Sequence, residues 1–100
     1  MTRPELEAEW LRLTRVELPA LSGERGWPVG TDHCFQRILL DNACDRCWYD
    51  TIAKRPAYAH APEAVLVAAI ALGRAAIAGE ADMTALNRRS LAWRGKGEPR

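Results

Sequence analysis

Residues 62–79 read PEAVLVAAIALGRAAIAG and form the clearest helical pattern in the sequence. Proline is tolerated in the first turn of a helix, and Gly79 suits the left-handed residue that follows a helix end. The apolar run from Ala64 to Leu72 covers nine residues, whereas a membrane-spanning helix needs about 20. The stretch therefore predicts a buried core helix. Gly73 costs about 1 kcal/mol against alanine within a helix, which indicates a close backbone crossing there.

A second helix is predicted at the beginning of the chain. Thr2 and Glu5 have the spacing of a capping box, in which each side chain accepts a hydrogen bond from the other residue's backbone N–H. Leucine and tryptophan then recur near helical spacing. Pro19 either ends this helix or kinks it, because proline lacks the amide donor that a helix interior requires. Residues 22–26, SGERG, break the helix in either case.

The middle of the chain is predicted to be helical and then irregular. A helix begins at Thr31 or Asp32, both of which are good N-cap residues, and runs to about Arg46. Residues 47–53 form a short helical piece or a turn. Residues 57–61 form a loop, because a proline stands on each side of them.

The last helix and the first connector complete the predicted architecture. Asp82 caps a helix that ends near Trp93 or Arg94, since the residues beyond are rich in glycine. The connector at residues 26–30, GWPVG, is apolar, and its Trp27 is expected to fold back onto the core.

Composition bounds the protein class. The chain has 100 residues, 48% of them hydrophobic and 27% charged, with a net charge of +1. We expect one all-α domain over residues 1–100, a small antiparallel bundle of about four helices with a basic tail at 95–100 that frays. Three cysteines cannot all pair within the chain, and the charged N-terminus lacks an apolar signal core. These features predict a cytoplasmic protein with reduced thiols and no membrane segment.

A polar stripe on the helix that begins near residue 31 is the first candidate site. His33, Arg37 and Asp41 recur every four residues, and Asn42 lies beside them. Such a stripe can be a structural network, or it can bind a ligand with His33 as a base and Arg37 as an anion clamp. No nucleophile stands in the sequence to act with these residues, so both interpretations are kept.

A metal site is the second and weaker candidate. Cys44 and Cys47 have the Cys-x-x-Cys spacing that suits two zinc ligands, and His33, Cys34 or His60 could add further ligands. The two alternatives are packed free thiols and a redox pair. A structural zinc site usually shows a second tight pair, which is lacking, so we expect no metal.

Basic and aromatic residues are the third candidate, as a surface for a partner. From residue 88 onward there are five positive charges and one negative, hence a net charge of +4, and Trp93 lies among them. Arg88, Arg89, Trp93 and Arg94, together with Trp27, could contact a protein partner or a second copy of the chain. Cations near a helix C-terminus also simply suit the helix dipole. The balanced charge elsewhere argues against nucleic acid binding.

Four segments carry a resemblance to a known group of proteins. Residues 32–43 (DHCFQRILLDNA), 48–49 (WY), 55–58 (RPAY) and 86–96 (LNRRSLAWRGK) resemble short bacterial proteins labelled as GNAT-like N-acetyltransferases. The resemblance covers about residues 26 to 96. It implies transfer of an acetyl group from acetyl-CoA to an amine.

The phosphate-binding signature of that superfamily is not matched by the chain. The signature runs Arg or Gln, two residues, Gly, one residue, then Gly or Ala, and the nearest match, residues 94–99 (RGKGEP), fails at the last position. We therefore assign no acetyl-CoA-binding residues and expect no bound cofactor. The first functional expectation is a small interaction or regulatory module. The alternative is an acetyltransferase-type enzyme or ligand binder that uses His33, Arg37 and Asp41.

Overall fold

The computed structural model describes residues 1–95 and confirms the all-α prediction. Every regular element in this part of the chain is helical. The elements are α1 (Arg3–Arg12), a π-helical segment (Leu13–Glu17), α2 (Leu18–Arg25), α3 (Asp32–Cys44), a 3-10 turn (Trp48–Asp50), α4 (Ala57–His60), α5 (Glu63–Ile77) and α6 (Met83–Trp93). Most of the tail expected to fray, residues 96–100, lies outside the described residues.

The first helix begins with the capping box that the sequence predicts. The Thr2 hydroxyl accepts a hydrogen bond from the Glu5 backbone N–H at 3.3 Å, and the Glu5 carboxylate accepts one from the Thr2 backbone N–H at 2.9 Å. Two backbone donors that a helix start leaves free are thereby satisfied.

Pro19 does not end the helical path, which continues from α1 through the π-helical segment into α2. The Leu18 N–H donates to the Leu13 carbonyl, five residues back, so the turn before the proline is a wider π-helical turn. Such a turn makes room for a residue whose ring would crowd an ordinary α-helical turn. The expected break at residues 22–26 comes only at its last residue, because α2 runs to Arg25 and Gly26 ends it with a φ of 64°.

Helix α5 forms the centre of the core, as predicted. Its inward face is fully or almost fully buried. The buried residues of α5 are Leu66, Ala69, Ile70, Gly73 and Ala76. The helix ends as the sequence predicts, with Gly79 at a φ of 79°. Glu80 and Gly79 donate backbone hydrogen bonds to Ala75 and Ala76, the pattern of a Schellman cap.

Gly73 marks the predicted close crossing. A Cβ atom added there would lie 2.6 Å from Leu13 Cδ2 and 3.2 Å from Leu39 Cδ1. Both leucines are fully buried, so neither side chain can swing out to solvent. The absence of a side chain at residue 73 therefore lets α5 pack directly on the π-helical segment and on α3.

Two local predictions are wrong. Residues 57–61, predicted as a loop, contain the single helical turn α4. The Arg3 guanidinium donates to the Tyr58 and Ala61 carbonyls at 2.9 and 2.8 Å, which ties this turn to the start of α1. The helix predicted to reach Arg46 ends at Cys44, because Asp45 adopts a left-handed conformation with a φ of 55°.

Three further predictions hold. Asp82 caps α6 by accepting the Thr84 N–H at 3.0 Å. Trp27 is half-buried and packs edge-on against Phe35, with ring centroids 5.8 Å apart. No helix within residues 1–95 is long and apolar enough to cross a membrane.

The Gly73 contact generates a stability prediction. Gly73→Val should lower the free energy of unfolding by about 1–3 kcal/mol, because the new side chain overpacks a filled core. Gly23→Val is the matched control, since a Cβ at that helical position meets nothing within 4 Å. It should change stability by no more than about 0.5 kcal/mol. Urea unfolding followed by circular dichroism measures both, and equal effects would contradict the close crossing.

Candidate functional site

The polar stripe lies on α3, and its three spaced residues differ in how deeply their side chains are buried. His33, in the first turn, has a side chain 90% exposed. Arg37, one turn later, is partly buried between α3 and α6. Asp41 is completely buried. The stripe therefore leads from solvent at the start of α3 into the interior of the protein near its end.

Asp41 is the centre of a buried hydrogen-bond network. Its Oδ1 accepts the Trp48 backbone N–H at 2.9 Å, and its Oδ2 accepts the Ser90 hydroxyl at 2.7 Å. Arg94 binds both oxygens, with Nε on Oδ2 at 2.7 Å and Nη2 on Oδ1 at 3.0 Å. This two-point ion pair raises the pKa of Arg94 above its ordinary value. The carboxylate is fully satisfied, and its charge is balanced by one guanidinium.

Arg37 belongs to the same network but has only neutral partners. Its Nη1 donates to the Ser90 hydroxyl at 2.7 Å, and its Nη2 donates to the Asn87 side-chain oxygen at 2.8 Å. Among the described residues no carboxylate lies within ion-pair distance of Arg37. The network thus contains two guanidiniums and one carboxylate, so one positive charge stays uncompensated.

A cleft of about 520 Å³ opens beside this network. Its size lies in the range of small-molecule sites. Within residues 1–95 the cleft is lined by four arginines and by no aspartate or glutamate. The lining residues are Trp10, Arg15, His33, Cys34, Gln36, Arg37, Leu40, Trp48, Tyr49, Arg55, Pro56, Ala57, Tyr58 and Arg94. The cleft therefore combines positive charge with aromatic and aliphatic surface.

Stacked cations and rings form one wall of the cleft. The rings of Trp48 and Tyr49 meet edge to face, with centroids 4.6 Å apart. The Arg55 guanidinium lies over both, at 5.5 and 5.1 Å from the two centroids, and Arg94 lies 4.8 Å from that of Tyr49. The two guanidiniums, Arg94 first, lower the pKa of Tyr49, because they stabilise the phenolate.

The structure separates the four residues of the predicted ligand site. His33 and Arg37 line the cleft, whereas Asp41 lies beneath it and holds Arg94. Asn42 does not line the cleft. Its side-chain amide donates to the Ile38 and Leu86 carbonyls at 2.8 and 2.9 Å, which ties α3 to α6.

The predicted interaction residues lie in different surroundings. Arg88 and Arg89 are exposed on α6. Trp93 is 37% exposed and lines a second, smaller cleft of about 360 Å³ together with Cys47, Tyr49 and Arg94. Trp27 packs partly into the core, away from the cleft lining. Arg94 turns inward to Asp41, and its side chain is only 14% exposed.

The weak metal candidates form no cluster among residues 1–95. No group of three or more His, Cys, Asp or Glu side chains in that range has a metal-binding arrangement. Cys34, Cys44 and Cys47 are separate, half-buried free thiols. Burial raises the pKa of the Cys44 thiol, which opposes formation of a thiolate ligand.

Several residues of the cleft and its network were not predicted as site residues from the sequence. Ser90 is not among the site residues predicted from the sequence, yet its hydroxyl joins Arg37 to Asp41. Trp48, Tyr49 and Arg55 lie in the irregular segment between α3 and α5, where helical periodicity gives no guidance. The only signal for these three was their presence in the segments of the resemblance.

The buried ion pair generates a second stability prediction. Asp41→Asn should lower the free energy of unfolding by about 2–4 kcal/mol, because it leaves Arg94 unpaired in a largely buried place. Asp32→Asn is the matched control. Asp32 is partly exposed, and its carboxylate makes only a long ion pair with Arg15, at 3.9 Å. The control should cost less than about 1 kcal/mol. Chemical denaturation of both variants measures the difference, and similar losses would contradict the central role of Asp41.

The wall of the cleft generates a spectroscopic prediction. In the folded protein Tyr49 should form phenolate below its ordinary pKa of 10.0, because Arg94 and Arg55 favour the negative form. A pH titration of phenolate absorbance measures this ionisation. Tyr49→Phe should remove the phenolate absorbance that appears below the ordinary tyrosine pKa, whereas Tyr58→Phe should retain that absorbance. A titration that shows no phenolate below the ordinary range would contradict the described contacts.

Comparison with known proteins supplies no relative for this arrangement. No family model, no curated protein and no solved structure matches the chain. The resemblance to acetyltransferase-labelled proteins therefore stays a prediction. The function has to be argued from the cleft itself.

Proposed function

We propose that this chain is a binding module whose cleft takes a small anionic ligand. The observation that supports the proposal is the presence of two arginines, Arg37 and Arg55, in the lining of one cleft. Both line the cleft, and no carboxylate among residues 1–95 lies within 4.0 Å of either guanidinium. Two cations that share a cleft without counter-charges create a local positive potential.

The burial of Arg37 strengthens this argument. Exposed arginines without partners are common because water solvates them, but Arg37 is partly buried beside α6. A charge in such a place interacts more strongly with a nearby ion than it would in water. Its two bonds to Ser90 and Asn87 also hold the guanidinium in one position. A bound anion would meet a group that is already ordered and only partly hydrated.

Binding is better supported than catalysis. The proposed base, His33, is almost fully exposed, and Asp41 is fully engaged in the network beneath the cleft. Neither arrangement resembles an activated nucleophile beside an oriented base. Acetyl transfer is kept as the alternative that the resemblance implies. Acetyl-CoA carries phosphates, so it belongs to the class of anions that the cleft is proposed to bind.

Partner binding is a second candidate, favoured by the exposure of Trp93. A tryptophan 37% exposed beside a shallow cleft is typical of an interaction surface. Purification of the tagged chain from its source cells should then recover a partner that Trp93→Ala abolishes and Arg37→Gln retains. Recovery that is equal for all three proteins would contradict a role for Trp93.

Calorimetry tests the anion-binding proposal. Wild-type protein should bind inorganic pyrophosphate at millimolar concentration or below, with affinity that falls as salt is added. Arg37→Gln and Arg55→Gln should each weaken binding by about 10- to 150-fold, since a charge-assisted hydrogen bond contributes about 1.5–3 kcal/mol. Acetyl-CoA in a parallel titration tests the enzymatic alternative.

Two matched variants control for loss of charge alone. Lys54→Gln alters the residue next to Arg55, and Arg88→Gln alters the residue next to Asn87. Both side chains are exposed and lie outside the cleft lining. They should leave affinity within about twofold, as expected for surface charges. Equal losses in controls and site variants, or no binding of any anion, would contradict the proposal.

A further inference from the structure

We propose that the ligand is a phosphate monoester carried on a planar aromatic ring. This inference rests on the proposed anion-binding function and specifies the chemistry of the ligand. It draws on two features of the cleft, namely the number of its uncompensated cations and the composition of the surface opposite them.

The number of lining arginines without a carboxylate partner indicates the charge of the ligand. Arg94 is neutralised by Asp41, and Arg15 lies 3.9 Å from Asp32. Arg37 and Arg55 are the two lining arginines for which the described residues supply no carboxylate. A phosphate monoester carries about −1.5 to −2 charges at pH 7 and presents three acceptor oxygens. A carboxylate carries one charge and would leave one guanidinium uncompensated.

The two arginines are suited to complementary tasks. Arg37 is held by Ser90 and Asn87, and each of these bonds uses one N–H of a different terminal nitrogen. The other N–H groups of the guanidinium stay free for a ligand. Arg55 is exposed and rests on the rings of Trp48 and Tyr49 without an ion pair among residues 1–95. Because both arginines line the same cleft, we infer that the fixed donor and the exposed donor share one phosphate group.

The remaining surface of the cleft selects the body of the ligand. Apolar and aromatic side chains account for half of the lining residues, seven of fourteen. These are Trp10, Leu40, Trp48, Tyr49, Pro56, Ala57 and Tyr58. Trp10 and Leu40 lie buried behind this surface, and an inorganic anion would leave its accessible part, formed by residues 48–49 and 56–58, in contact with water. A flat ring attached to the phosphate would cover it, and would stack on ring faces and on the guanidinium plane of Arg55.

Three phosphates of graded structure test the inference by calorimetry. Phenyl phosphate has a planar ring, cyclohexyl phosphate has a ring of similar size that is not planar, and inorganic phosphate has no ring. Phenyl phosphate should bind at least tenfold more tightly than inorganic phosphate and at least threefold more tightly than cyclohexyl phosphate. Benzoate, planar with a single charge, should bind at least tenfold more weakly than phenyl phosphate.

A variant identifies the surface responsible for the preference. Trp48→Leu should reduce the ratio of phenyl to inorganic phosphate affinity at least threefold, while inorganic phosphate still binds. Trp93→Leu, which alters a tryptophan outside the larger cleft, should leave that ratio unchanged. Circular dichroism of both variants establishes that they are folded before their ratios are compared.

The possible failures are distinguishable. Equal affinity for phenyl, cyclohexyl and inorganic phosphate would overturn the planar-ring inference and leave the anion-binding function standing. Benzoate that binds as tightly as phenyl phosphate would overturn the choice of a dianion. If none of the four compounds binds while pyrophosphate does, the monoester inference falls and the anion-binding function stands; if pyrophosphate also fails to bind, both fall.

Discussion

A fully buried carboxylate has to be satisfied by the protein, and Asp41 is the residue on which this requirement acts. An ion of this kind without partners would cost several kcal/mol after removal from water. Its donors come from the Trp48 backbone, the Ser90 hydroxyl and the Arg94 guanidinium. The last turn of α3, the 3-10 turn and the end of α6 must therefore meet at one point.

The cleft chemistry is a consequence of that arrangement. Arg94 neutralises Asp41, so the adjacent Arg37 is left with the hydroxyl and amide oxygens of Ser90 and Asn87. A network with equal numbers of carboxylates and guanidiniums would have had no net charge. This network carries one surplus positive charge, and it does so beside a cavity. The structural and the binding interpretations of the polar stripe are thus compatible, since Asp41 belongs to the buried network and Arg37 also lines the cleft.

Local sequence signals predicted the helices well, because each rests on neighbouring residues. The apolar run of α5 and its Gly79 end are of this kind. The glycine at position 73 indicated a close crossing, but only the structure shows that Leu13 and Leu39 make it. The site depended on pairings between residues about 50 positions apart, such as Arg37 with Ser90. No periodicity predicts such a pairing. Arg94 was grouped with its basic neighbours on α6, because only the packed structure shows that its side chain turns inward.

The irregular segment between α3 and α5 explains why the site combines order with adaptability. Its backbone is anchored at one end by the Trp48 N–H on Asp41 and at the other by the Arg3 guanidinium on the Tyr58 carbonyl. Between these anchors Arg55 rests on aromatic rings and is exposed. Loops held at both ends by a helical scaffold commonly present binding groups. In the proposed function, Arg37, held by Ser90 and Asn87, would set where an anion lies, and the exposed Arg55 would complete the site from the loop.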